Sequence, residues 1–198
     1  MLRKYLTSRL RVVLALTLVL GTRAHAQIGK RVWASAGVGV ASADLRCMGL
    51  CVLSDDFFAS GRTATPVVLL GLTLSKHLRV NGEWSYWQRG FNHGVGTNQL
   101  STASFAVSYH PFRVPSLFIR GGVGHASMHY IIQSDNFTAA GRVLLAGFGY
   151  EVVLGPNASF VPMVTYHHGV LSGRDPFGDK PSWRDSLWIF GATIRIHS

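Results

Sequence analysis

The sequence predicts an all-β chain, an eight-stranded antiparallel up-and-down transmembrane β-barrel behind a short export segment, and three observations carry that expectation. Composition is the first. The 198 residues are 47% hydrophobic and 14% charged, with a mean hydropathy of +0.22, which excludes a disordered chain, poor in apolar residues and dense in charge. The second is that, past the N-terminus, no run of the ~20 apolar residues needed by a spanning helix occurs. The third is that apolar residues recur at every second position in segment after segment, the period of a sheet with chemically different faces. Helices and closed barrels are the two backbone arrangements that satisfy their own hydrogen bonds in a bilayer. Of these, the barrel spreads its apolar surface over alternate positions. One domain suits this length.

Residues 1–26 read as a cleavable signal peptide. Arg3, Lys4, Arg9 and Arg11 precede an apolar run from Val12 to Leu20, followed by the small-x-small end Ala24-His25-Ala26. Cleavage is expected before Gln27, leaving residues 27–198 as the barrel domain. The apolar run is too short to span a bilayer, and no cysteine follows it to be lipidated. Five of the nineteen basic residues lie in this segment; the remaining fourteen against nine acidic residues reduce the formal charge from +10 to +5. The other Arg and Lys residues are scattered and form no basic stripe, so nucleic acid is not an expected partner.

Eight strand-like segments follow between residues 28 and 197. In the first, Ser35, Gly37, Gly39 and Ala41 share a small, polar face. The second sets Pro66, Val68, Leu70, Leu72 and Leu74 against Thr65, Val67, Leu69, Gly71 and Thr73. The third alternates most clearly, with Leu78, Val80, Gly82, Trp84 and Tyr86 opposite Arg79, Asn81, Glu83, Ser85, Trp87 and Arg89. In the fourth, Phe105, Val107 and Tyr109 oppose Thr102, Ser104, Ala106, Ser108 and His110; the fifth and sixth carry small residues at Gly122, Gly124, Gly147 and Gly149. The seventh sets Phe160, Pro162, Val164 and Tyr166 against Val161, Met163, Thr165 and His167, and the eighth sets Trp188, Phe190, Ile194 and Ile196 against Gly191, Thr193 and Arg195. Proline lacks a ladder donor, so bulges are expected at Pro66 and Pro162.

Connections alternate in length. Long ones, at Ser42–Arg62, Gly90–Asn98 and Leu171–Arg184 with a shorter polar loop near Ser134–Asn136, share one end of the sheet. Tight turns at Lys76-His77, Pro111–Pro115 and Gly155-Pro156-Asn157 share the other. Outer-membrane barrels have this asymmetry of short periplasmic turns and longer outer loops.

Two features orient the faces. The polar faces are rich in small residues, as the narrow interior of an eight-stranded barrel demands. They also mix charges: Arg31, Arg79, Arg120 and Arg195 share a face with Glu83 and Glu151, toward the short-turn end. An interior ion network is expected, with Arg120 and Glu151 at similar height on neighbouring strands. The apolar faces then meet lipid, and Trp84, Tyr86, Tyr109, Phe148, Tyr150, Phe160, Tyr166, Trp188 and Phe190 fall where interfacial girdles form.

With these residues in view, the chain resembles the small eight-stranded outer-membrane barrels typified by the OmpA transmembrane domain and OmpX. The resemblance covers residues 28–198. It rests on Gly147-Phe148-Gly149-Tyr150-Glu151 before a tight turn, Phe160-x-Pro162-x-Val164-x-Tyr166 after it, and a final Gly191-x-x-Ile194-x-Ile196. It implies a bacterial outer-membrane location, contact with outer-membrane lipid and insertion by the barrel-assembly machinery. The family usually ends on an aromatic residue, whereas this chain ends Ile196-His197-Ser198.

Candidate chemistry is sparse. Cys47 and Cys51, in Cys-Met-Gly-Leu-Cys, are expected to form a disulfide in an exported chain, stiffening a loop tip with little effect on the fold. The cluster of His168, Ser172 and Asp175 offers the residue types of a nucleophile, base and orienting acid. Lipid A deacylase-type barrels separate their His and Ser by one residue, and that position here is Val170. His125 and His129 lie two strands from His167-His168, so a metal site is not implied. No phosphate loop or dinucleotide fingerprint is present, and no cofactor is expected. The resulting expectation is a monomeric, non-enzymatic membrane or surface-interaction protein displaying four loops. Its rivals are a lipid-modifying barrel enzyme, a small-solute channel and a soluble barrel holding an apolar ligand.

Overall fold

A computed structural model describes residues 32–48, 61–91, 96–111, 116–132, 135–174 and 182–198. The signal segment, Arg31, Asp175 and Cys51 lie outside them, as does the side chain of Cys47, so the proposed cleavage and the Cys47–Cys51 pairing do too. The described chain forms eight strands: β1 (Val32–Met48), β2 (Gly61–Thr73), β3 (Leu78–Phe91), β4 (Gly96–Tyr109), β5 (Ser116–Ile132), β6 (Asp135–Gly155), β7 (Ala158–Arg174) and β8 (Ser182–His197). Each pairs antiparallel with its sequence neighbours, and β8 pairs with β1 to close the barrel. Closure leaves no edge strand to aggregate or to expose unpaired amides to lipid.

Side chains alternate between the two walls, except at the turn end of β6, where Val152, Val153 and Leu154 are all exposed. β4 reads buried at Asn98, Leu100, Thr102, Ser104, Ala106 and Ser108, while Ala103, Phe105, Val107 and Tyr109 are exposed. The interior is crowded enough to dictate glycine where strands meet closely. Gly39 and Gly191 face each other across β1 and β8, and a Cβ built on either lies 2.8 Å from backbone atoms of the other strand.

Two expectations about the strands change. The loop-end strands are longer than the alternation suggests: β1 continues to Met48, pairing through Cys47↔Trp183 and Met48↔Ser182, and β7 continues to Arg174. Ladder hydrogen bonds between long neighbours persist beyond the point where residue chemistry stops alternating. The bulges expected at the prolines also do not sit there. Pro66 pairs in regular register with Val38, just beyond Val67, where the β2–β3 ladder ends. A missing donor costs nothing on the side that has no ladder. Pro162 pairs regularly with Ala192 on β8, while the β6–β7 ladder has no partner for Val161 or Pro162 and shifts register at Val153/Gly155.

Candidate functional site

Among the described residues the lumen is filled rather than open, and its two halves differ. The turn-end half holds the ion-paired residues. Arg79 donates Nη1 to Glu151 Oε2 at 2.5 Å, and Arg195 Nη1 reaches the same oxygen at 3.2 Å. His197 Nε2 lies 3.3 Å from Glu151 Oε1, and the Arg195 guanidinium stacks 4.2 Å over the Trp33 ring. Above this group, Arg120 and Glu83 form a fully buried ion pair, with His167 Nε2 3.6 Å from the other Glu83 oxygen. Hydroxyl pairs complete this half: Ser35 with Thr193 and Ser85 with Thr102, each at 2.6 Å.

Arg120 and Glu151 therefore do not meet. The β5–β6 register sets Arg120 opposite Gly147 and Glu151 opposite Ser116, four residues apart, or ~13 Å along a strand. Each takes a partner from across the lumen instead. His167 and His197 are the network members that sequence reasoning missed. The place of His167 on the inward face of the seventh strand is legible from the alternation, but its closeness to Glu83 depends on strand tilt.

The loop-end half is apolar. Trp87, Leu100, Met128, Leu171 and Leu187 are wholly buried, and the Phe137 and Trp183 rings meet at 4.6 Å. Asn98 and Asp185 are embedded here, both fully buried. A lumen packed in this way is a core, as in other barrels of this strand number.

All nine aromatic residues expected at the lipid face lie on the outer wall. Tyr109, Tyr150 and Phe160 stand toward the turn end. Trp84 and Tyr86 stack with each other nearer the loop end, as do Trp188 and Phe190, and Tyr166 packs 4.4 Å from Trp188. Between them the wall is aliphatic, including Val38, Leu70, Val123 and Leu144.

Of the residues considered for catalysis, the two that are described, His168 and Ser172, do not come together. His168 and Ser172 share the outer face of β7 but are four residues apart, ~13 Å along an extended strand and beyond proton-transfer reach. His168 Nδ1 is instead 3.2 Å from Ser186 Oγ and 3.3 Å from the Tyr166 hydroxyl, in a polar cluster beside Trp188. Nor do the histidines converge: His125 and His129 face outward on β5, and His167 faces inward on β7. Among the described residues no group of three metal-ligating side chains forms.

The fold and its filled lumen define a class: small, eight-stranded barrels of the outer-membrane type. No protein-family model matches the chain, and no curated relative matches it. Solved structures do. Ail, the attachment invasion locus protein of Yersinia pestis, solved with the heparin analogue sucrose octasulfate, is 17% identical with a TM-score of 0.55, covering 83% of this chain and 99% of Ail. Neisserial surface protein A is 12% identical with a TM-score of 0.55, covering 84% of this chain and 97% of its own. The outer membrane protein AlkL, solved in lipid bilayers, is 14% identical with a TM-score of 0.52, covering 87% and 93%. At these identities the likeness is one of fold.

Proposed function

We propose that the chain is a monomeric, integral protein of the bacterial outer membrane, non-enzymatic, whose barrel is a rigid scaffold for loops presented to the cell exterior. The observation that carries this reading is the outer wall. Val123, Leu144 and Phe190 are 61%, 63% and 54% exposed, within a continuous apolar band around a closed barrel. Contiguous exposed apolar surface of this kind marks an interaction or membrane surface, and a band edged by aromatic residues is the pattern of a transmembrane barrel. The packed lumen favours a scaffold over a diffusion channel. The attachment and surface proteins among its structural neighbours agree with a surface role, and the long connections are where such a role would reside.

Expression of the full chain in a Gram-negative host, with an epitope inserted in 49–60 or 175–181, tests this reading. The expected result is a detergent-extracted, heat-modifiable barrel whose epitope is labelled on intact cells. Recovery of the mature chain in the aqueous fraction without detergent would overturn the membrane assignment. Membrane insertion without surface labelling would overturn loop display.

A further inference from the structure

We propose that the outer wall formed by β8, β1 and β2 holds one phosphate-bearing lipid of the outer leaflet, its acyl chain in a groove and its phosphate on Arg62, with Arg184 adding positive charge further toward the loops. This rests on the membrane reading above. The groove has a volume of about 550 Å³ and is lined by Val40, Ser42, Arg62, Trp188 and Phe190, a size within the range of ligand clefts. Its body is apolar, with the stacked Trp188 and Phe190 rings as one side. Its loop end is polar: Ser42 pairs with Arg62 on one neighbour and with Trp188 on the other. Arg62 is exposed and has no ion pair among the described residues.

Further toward the loops, one continuous register runs His125↔Arg142↔Val170↔Arg184↔Arg46 across five strands. Every member faces outward. Asp44 is the one carboxylate on this wall among the described residues, and it bonds Arg46 at 2.9 Å. Arg142 and Arg184 have no acidic partner there. At the turn end, Lys76 is the one exposed lysine or arginine among the described residues. Cations thus gather at the loop end of the apolar band, the depth of outer-leaflet headgroups.

The combination restricts the occupant. A free anion would make no use of the groove, and an uncharged apolar solute none of the arginines. A ligand that is apolar along Val40, Trp188 and Phe190 and anionic at Arg62 matches both. Guanidinium groups bind phosphate bidentately, with geometric as well as charge selectivity.

Native mass spectrometry of the full-length gene product, purified and placed in nanodiscs of phosphatidylcholine containing a minor fraction of phosphatidylglycerol, tests the site. The expected result is one retained lipid per barrel, enriched in phosphatidylglycerol. Arg62→Gln with Arg184→Gln should lower that enrichment about tenfold, the scale of a single charge-assisted hydrogen bond. Val40→Trp, which fills the groove, should lower retention of both lipids. Equal retention of the two lipids, or enrichment untouched by the arginine changes, would overturn the site while leaving the membrane reading intact. A dimer that excludes lipid from this wall would do the same. A chain that does not enter nanodiscs at all would overturn both. All three positions face outward, and heat-modifiable mobility of each variant establishes that its barrel is formed.

Discussion

The two halves of the lumen fill the same narrow cylinder by opposite chemistry. Toward the turns, Glu151 gathers Arg79, Arg195 and His197, and Glu83 gathers Arg120 and His167. Toward the loops, Trp87, Leu100, Met128, Leu171 and Leu187 fill the barrel mainly by apolar packing, around the buried Asn98 and Asp185. The difference teaches how each half can fail. Trimming an apolar side chain leaves a void whose cost depends on its size, whereas removing a charge leaves other charges buried without a counter-ion. The ion groups are not in themselves a source of stability, because desolvation offsets their attraction. They fix which strands' polar faces must meet.

The comparison breaks most sharply at Glu151. Glu151→Ala strands two arginines in the lumen and should cost about 3–5 kcal/mol, measured as a fall in the urea midpoint of the folded, heat-modifiable band in detergent. A decrease below about 1 kcal/mol would mean that water readily solvates this half. In the apolar half, Leu187→Ala should cost about 3 kcal/mol by the same measurement, the range for a fully buried leucine. The double change Glu83→Leu with Arg120→Met sharpens the contrast. Replacing both partners by apolar residues of similar volume should shift stability by about 1–2 kcal/mol in either direction, far less than Glu83→Leu alone.

The smallest expected effect is a pH dependence at the β4–β5 turn. His110 is buried just past the end of β4. Burial, reinforced by the charge of Arg79, pushes its ring down from 6.5 to about 4. The unfolded chain therefore binds the proton more readily between those values. The stabilisation is complete above about pH 6.5 and is lost as pH falls toward about 4. His110→Leu should flatten that part of a pH–stability curve. An unchanged slope in the variant would assign the acid sensitivity to other groups.

Much of this is legible in the residues. Period two places Trp84, Tyr109 and Phe190 outside and Ser104, Thr193 and Arg195 inside, because successive Cβ atoms on a strand point to opposite faces wherever the strand lies. The ion-paired residues of the lumen cluster at the short-turn end, as their positions along the segments imply. Partner identity is not legible in the same way. Adjacency of strands matches Arg120 with Glu151, but tilt carries each side chain past its neighbour to groups across the lumen. His168 suggests chemistry with Ser172, and the closed sheet instead gives it Ser186 from β8.

The alternation of small, polar and apolar residues is enough to specify strands, their two faces and a barrel narrow enough to need glycine inside. These are local properties, set by side-chain direction and size along each segment. Which charges pair, where the prolines fall relative to the ladders, and how Arg62, Ser42 and Trp188 come to border one groove are decided by the closed sheet. Register and tilt are shared by all eight strands, and no single segment carries them.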